Sequence, residues 1–482
     1  MRRVLLPWLR SGVLLTALFQ LSGQAAPGSE SWYRLVDDDG VVAGHGSRSL
    51  TEGPGGRETV ETQELLLAEP GDPATHLTRR TVTREDASGR PLSISDESWT
   101  GRSWVRTEVR IGPSRAELVR TTPGDRRATS VTLPRGTRFD NGSGLLRDWD
   151  PATTPRLEFD NFSIAAMGIE HVVIEPARDA APGTLAVLRK RYEGGDLRGV
   201  ARLTLGADRR VISVAQPMFG TSITSSPSDR ATALAPQPPY RVLASVRVKS
   251  LFRIGDSALQ SHIRYRFSFR DGIAFAIPQT GEQRVTATAD GAVVDICGDC
   301  GPSLASDTAT LAAALRPNAW LQSDARQLRA IAATVAGRRL SNARKMELLT
   351  DQARGYIGRA DFAGHYSALE TLRRRAGDCT EASVLLAALG RAAGVPTRVV
   401  NGMVYSRARY HGVSNVFLPH SWVVAWTGER WQSYDSALDS FDSTHIALTV
   451  GDGDARSITA ASQLASLLRW ESMTQVKAAP AS

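Results

Sequence analysis

The chain has 482 residues, 41% hydrophobic and 22% charged, an ordinary globular composition with length for about three domains. Its formal charge is +8, and setting aside Arg2, Arg3 and Arg10 leaves 55 basic against 50 acidic residues. That surplus is small and scattered, with no Lys/Arg block, so charge gives no support to nucleic-acid binding.

The first residues read as an export signal. Met1, Arg2 and Arg3 form a charged start, residues 12–21 a short apolar core, and Gly23-Gln24-Ala25 a small-x-small cleavage site. The core is too short for a comfortable membrane span, and Arg10 interrupts any longer run. No cysteine follows it to carry a lipid. The expectation is a signal peptide over 1–25 and a periplasmic or secreted mature chain with no transmembrane span.

Residues 27–220 alternate polar and apolar positions between Gly, Pro and Asp turns, which predicts a β-rich N-terminal domain built as a curved antiparallel sheet or half-barrel. Within it, 143–176 is expected to supply a helix or covering loop. His45, His76 and His171 are isolated and read as structural. Residues 221–239, rich in Ser, Thr, Ala and Pro, read as a linker. A second β segment follows over 240–305 and ends in Ile296-Cys297-Gly298-Asp299-Cys300-Gly301. In an oxidising compartment Cys297 and Cys300 most simply close a small disulfide. Free thiols, or a redox or metal pair, are the alternatives. The glycines and Pro302 argue for a turn, and no second ligand pair stands nearby for zinc.

Helices dominate next. Ser323, Ser341 and Ser367 are placed to begin three of them. Residues 380–393 are apolar on nearly every side, as a central buried helix would be. Asp378 stands at its N-cap and Glu381 three positions on completes a capping-box pattern, so Cys379 falls in the first turn. There the helix dipole and free N–H groups favour a thiolate and an oxyanion, unless Asp378 opposes them. The expectation is a thiol of low pKa.

Residues 420–426 and 431–437 read as a hairpin turning at 427–430. A two-residue Gly428-Glu429 loop pairs Thr427 with Arg430 and Trp422 with Asp435, which leaves His420 and Asp435 diagonal neighbours on one face. A three-residue loop would put them on opposite faces. Asp439 and Asp442 are rival carboxylates, and His411 is a rival base. Trp422, Trp426 and Trp431 read as packing. Residues 459–470 suit a closing helix within a C-terminal helix and tail, 451–482.

Thiol, imidazole and carboxylate thus occur in an order and setting that suit nucleophilic catalysis. Gly377-Asp378-Cys379-Thr380-Glu381-Ala382, the Val395-Pro396-Thr397-Arg398-Val399-Val400 run, the His420-x-Trp422 strand and the Trp431-x-x-x-Asp435 strand together resemble the transglutaminase-like superfamily of papain-fold cysteine enzymes, over roughly 320–450. One departure is Ser436, where many members carry proline. The resemblance implies an α+β fold class: a papain-like core over 306–450, preceded by the β-rich regions. It implies Cys379 as nucleophile, His420 as base and Asp435 as the residue that orients it. The reaction would be acyl transfer from a protein or peptide amide through a thioester, by hydrolysis, transamidation or proteolysis. No cofactor is expected, and no calcium or zinc ligand set stands out. The rival reading is a non-enzymatic envelope protein that binds or scaffolds through its β-rich domain.

Overall fold

A computed structural model describes residues 28, 30–68, 74–101, 103–218, 220–358, 365–406, 413–438 and 440–476. The expected signal peptide, His411 and Asp439 lie outside them. The chain divides into two compact units that meet in sequence between Ser245 and Val246.

The N-terminal unit is one antiparallel sheet of 14 strands. From Glu30–Asp37 the strands step outward in sequence order to an edge at Asp125–Thr132. On its other side Glu30–Asp37 pairs with the last strand, Thr221–Ser228, from which the order steps back to an edge at Leu157–Ser163. Arg138, beyond the first edge, bridges to Asn161 in the second. The Arg138 N–H donates to Asp160 O at 2.8 Å, and the Phe162 N–H donates to Arg138 O at 2.8 Å, so the segment beyond the first edge is tied to the second. Alternation decides which face turns inward: Tyr33, Leu35 and Asp37 are buried while Arg34 and Val36 between them are only half-buried.

The sequence expectation of a linker over 221–239 is corrected here. Residues 221–228 form a strand in the middle of the sheet, with Trp32 opposite Ser228 and Asp37 opposite Ile223. Its Ser/Thr composition looks like a linker, but the interior it faces is partly polar. Ser225 and Gln216 are buried there, and Arg79 holds Asp96 at 2.7 Å. Arg189 is only 3% exposed, and its Nε and Nη1 have no hydrogen-bond partner. Burial pushes its guanidinium down to about 10.

The C-terminal unit is α+β. Its larger sheet runs Val248–Lys249, Val416–Trp426, Thr397–Ser406, Ile446–Gly451, with Trp431–Tyr434 also paired to Val416–Trp426. Its smaller sheet runs Gln283–Ala287, Gly291–Ile296, His262–Phe269, Leu468–Val476. The helix Cys379–Ala392 is buried along all but its last residue. The helices Arg326–Ala336, Asn342–Tyr356 and Ala368–Arg374 enclose it, and the strands Thr397–Ser406 and Val416–Trp426 lie against it. Val384, Leu385, Leu386 and Leu389 are fully buried, each contributing about 1.5–3 kcal/mol.

Three local expectations change. The helix after Ser323 begins at Arg326 with Ala325 as an N-cap that makes no side-chain bond. Ser323 is spent in the preceding turn, where its N–H donates to Leu321 O at 2.8 Å. Ser367 does begin its helix but makes no side-chain cap bond, whereas Ser341 accepts from the Arg344 N–H at 3.2 Å. The closing helix is Ala455–Ser466, capped by Asp454, and the residues after it form a strand on His262–Phe269 rather than a tail. Segments 240–305 and 451–482 therefore share one sheet. Cys297 and Cys300 are joined by a disulfide. Among the described residues, no helix is long and apolar enough to cross a membrane.

Candidate active site

Local sequence sets the start of the Cys379 helix. Asp378 accepts from the Thr380 N–H at 2.7 Å, and Glu381 accepts from the Asp378 N–H at 2.9 Å and the Tyr366 N–H at 3.1 Å. The capping box is complete, and Cys379 opens the first turn. The thiol lies beside the backbone of Ser421, the residue after His420 on its strand.

The electrostatics run against the sequence expectation. Burial, and then the Asp378 carboxylate, push the Cys379 thiol well above its usual range; Asp435 and Glu381 push the same way, and the Ser421 N–H opposes them. The helix start favours a thiolate, but carboxylates crowd this turn and the thiol is buried. Cys379 is 1% exposed and His420 2%. Both line a cavity of about 10 Å³, large enough for a water molecule and no more. Asn401, Gly402, Pro419 and Ser421 line it on one side, and Ile458, Ala461 and Ser462 of the helix Ala455–Ser466 line it on the other.

The hairpin has the expected register. Trp426 opposes Trp431 and Val423 opposes Tyr434, with Thr427 N–H donating to Arg430 O at 2.9 Å. The ladder ends at Tyr434, and Asp435 follows at once. His420 Nε2 lies 2.7 Å from Asp435 Oδ2, while His420 Nδ1, though buried, has no hydrogen-bond partner. Asp435 Oδ1 accepts from the Ala437 and Leu438 N–H groups at 2.7 and 2.9 Å, which fixes the carboxylate plane. Burial alone would raise the Asp435 carboxyl; the charge and hydrogen bonds of His420 and His445 outweigh it and hold the group far below the usual carboxylate range.

His445 had no place in the sequence reading. Its Nε2 lies 3.1 Å from Asp435 Oδ2 and its Nδ1 3.1 Å from Asp442 Oδ1. Asp442, expected as a rival to Asp435, instead stands behind this second imidazole. Burial would lower His445, but its hydrogen bonds to Asp435 and Asp442 push it up to about 10. Trp422 packs edge-on against it at 5.1 Å and stacks near His420 at 6.1 Å. Glu282, also missed, reaches in from the smaller sheet. It accepts from the N–H and hydroxyl of Ser433, and burial raises its carboxyl to about 7. Nothing local in the sequence signals either residue. Each arrives through strand pairing between distant segments, such as Gly402 lying between His420 on one side and Ala447 on the other.

The donor atoms of His420, Asp435 and His445 lie within 4.8 Å of one another, a spacing a metal ion could use. The 2.7 and 3.1 Å separations are those of N–H···O bonds, so a carboxylate shared by two imidazoles accounts for the cluster.

A thiol at a helix start, sharing a cavity with an imidazole that rests on a carboxylate, is the side-chain set of cysteine hydrolases and acyltransferases. Residues 329–436, which include all three groups, match the transglutaminase-like superfamily, and the C-terminal unit carries a domain of that kind. No curated protein matches the chain. Among solved structures, a beta-barrel-like protein of a domain of unknown function from Brucella abortus is similar at 13% identity, over 42% of this chain and 95% of its own, with a TM-score of 0.33. A protein designated a candidate cysteine protease, from Cytophaga hutchinsonii, is similar at 16% identity, over 45% of this chain and 84% of its own, with a TM-score of 0.28. A candidate protease from Parabacteroides distasonis reaches 10% identity, 85% and 68% coverage, and a TM-score of 0.20.

Proposed function

We propose that the C-terminal unit is a cysteine enzyme acting on amide bonds of proteins or peptides, with Cys379 as nucleophile, His420 as base and Asp435 as its orienting partner. The observation that carries this reading is the division of His420. Its Nε2 is committed to Asp435, while its buried Nδ1 is unspent beside the cavity shared with Cys379. Asp435 thereby fixes the tautomer that leaves Nδ1 free to accept a proton.

The steps follow. The Cys379 proton passes to His420 Nδ1 as sulfur attacks the amide carbon. Backbone N–H groups at the helix start stabilise the oxyanion. His420 returns the proton to the departing amine, and the C–N bond breaks to leave a thioester. Water or a second amine, deprotonated by His420, then releases the acyl group and restores the thiol. Hydrolysis, proteolysis and transamidation differ only in the leaving and attacking groups. The space at the thiol is small, about 10 Å³, and we propose that the helix Ala455–Ser466, which lines it, shifts to admit substrate. We further propose export to the periplasm or beyond with loss of residues 1–25, to which the Cys297–Cys300 disulfide lends support, and envelope peptides as substrates.

The test is release of ammonia, or formation of a new amide, from glutamine-containing peptides. Cys379→Ala should abolish it, His420→Ala should cost nearly as much, and Asp435→Asn about 10⁴-fold. The double variant Cys379→Ala/His420→Ala should be no worse than Cys379→Ala alone. A Cys379→Ala protein that keeps the activity would end this reading. The closed, protonated thiol favours a second reading, a non-enzymatic envelope protein. Under it, a thiol-reactive amide probe would leave Cys379 unmodified in folded protein under every condition that preserves the fold.

A further inference from the structure

We propose that His445 is a positioning residue of the site: through the carboxylate it shares with His420, it sets how readily His420 takes up a proton. Its relevance to catalysis rests on the function proposed above, but its test does not.

The geometry carries it. Asp435 Oδ2 meets two imidazoles, His420 Nε2 at 2.7 Å and His445 Nε2 at 3.1 Å. A carboxylate oxygen only accepts, so each of these nitrogens must carry a proton. His445 Nδ1 faces two more oxygens at 3.1 Å, the Asp442 carboxylate and the Asp442 carbonyl. The Asp442 N–H also donates toward Nδ1 at 3.2 Å, a contact that suits a neutral ring, while the ionised Asp442 carboxylate at 3.1 Å on the same nitrogen favours the charged one. With carboxylates on both nitrogens, the surroundings of His445 favour the imidazolium. His420 differs: its Nδ1 has no hydrogen-bond partner. The two rings look alike in sequence, yet the fold sets oxygens against both nitrogens of one and leaves one nitrogen of the other unpartnered.

The consequence is electrostatic. An imidazole on an unshared carboxylate feels that full negative charge and binds a proton tightly. Here the His445 cation, its ring centre 5.5 Å from that of His420, offsets Asp435. The other groups facing the pair are Cys379 from the buried helix, Asp442 from the turn before Ile446–Gly451, and Glu282 from the smaller sheet, with Arg430 acting on Glu282. Tyr265 packs beneath the same turn, its hydroxyl donating to Ser443 O at 2.9 Å. None of these supplies a second cation at this range. A unit charge at that separation, screened as in a protein interior, is worth about one to two pH units in a neighbour's proton affinity. His445 and Asp442 lie beyond the segment 329–436, so this pairing is a feature of the chain outside that match.

The experiment titrates imidazole NMR signals in full-length Cys379→Ala protein, with and without His445→Gln. Glutamine keeps an N–H donor for Asp435 but carries no charge. The His420 midpoint should rise by about one pH unit or more when the cation goes. If His445→Gln fails to fold, Asp442→Asn decides instead: removing the anion behind His445 favours its neutral form and should move His420 the same way by less. In active protein carrying His445→Gln, the acid limb of kcat/KM should move up with the midpoint while KM is little changed. A His420 midpoint that stays put or falls overturns the proposal, whatever the activity. A midpoint that rises in a protein without amide chemistry leaves the proposal standing and defeats the catalytic reading alone.

Discussion

The covering helix should control access to Cys379, and Ile458→Ala is the change that reads it. Ile458 is 7% exposed and borders the cavity beside the thiol. Truncation removes three carbons from that wall. Buried Ile→Ala changes cost about 2–5 kcal/mol, and a side chain already at a small cavity belongs near about 2. If that loss is expressed in lifting the helix, the open population grows about 30-fold, at 1.4 kcal/mol per factor of ten. Iodoacetamide labelling of Cys379, followed by intact mass, measures this population, with urea unfolding run in parallel to separate local from global opening. Wild-type protein should label slowly and chiefly at alkaline pH, because burial and Asp378 raise the thiol. Ile458→Ala should label about 30-fold faster at equal pH. Wild-type labelling as fast as a free thiol, with a midpoint near the ordinary value of about 8.5 and no response to Ile458→Ala, would refute the closed site.

Three further outcomes are expected. Arg189→Met should raise the urea midpoint, by about 1 kcal/mol or more of stability, because it removes a buried guanidinium whose Nε and Nη1 have no hydrogen-bond partner and keeps most of the volume. Stability should depend on His445 above neutrality. Its folded pKa is raised to about 10 against about 6.5 unfolded, so its contribution is full below about 6.5 and lost as pH climbs through 10. His445→Gln should flatten urea midpoints across that window, and an unchanged slope would mean the imidazole is not charged in the fold. Exported protein, alkylated without reductant and weighed intact, should lack residues 1–25 and show no label on Cys297 or Cys300.

What could be read from the sequence was what is local. The capping box at Asp378 and Glu381 and the two-residue turn at Gly428 and Glu429 depend on residues a few positions apart, and both form as the spacing requires. The side chains brought together by distant pairing were invisible. His445 meets Asp435 because the strand Ile446–Gly451 pairs with Thr397–Ser406, and no spacing encodes that choice. The direction of the thiol's shift was misjudged for a related reason. A helix start favours a thiolate less where the thiol is buried among carboxylates, and the Ala455–Ser466 helix that lines the site begins 76 positions after Cys379. The strand Thr221–Ser228 was mistaken for a linker because strand patterns are sought as apolar alternation, and here the two buried positions are Ile223 and Ser225 and an exposed proline follows.

The sheet of the N-terminal unit has a further property. Read from the Leu157–Ser163 edge, its order runs through Thr221–Ser228, on to Glu30–Asp37, and ends at Asp125–Thr132. Every neighbour is sequential except at one seam, where Trp32 meets Ser228 across roughly 200 positions. That seam is the costliest loop for a folding chain to close. A circular permutant of this unit, with a short glycine linker sewing the seam and new ends opened between 133 and 156, would turn it into a plain succession of hairpins. Such a chain should reach the same sheet faster than the natural order does.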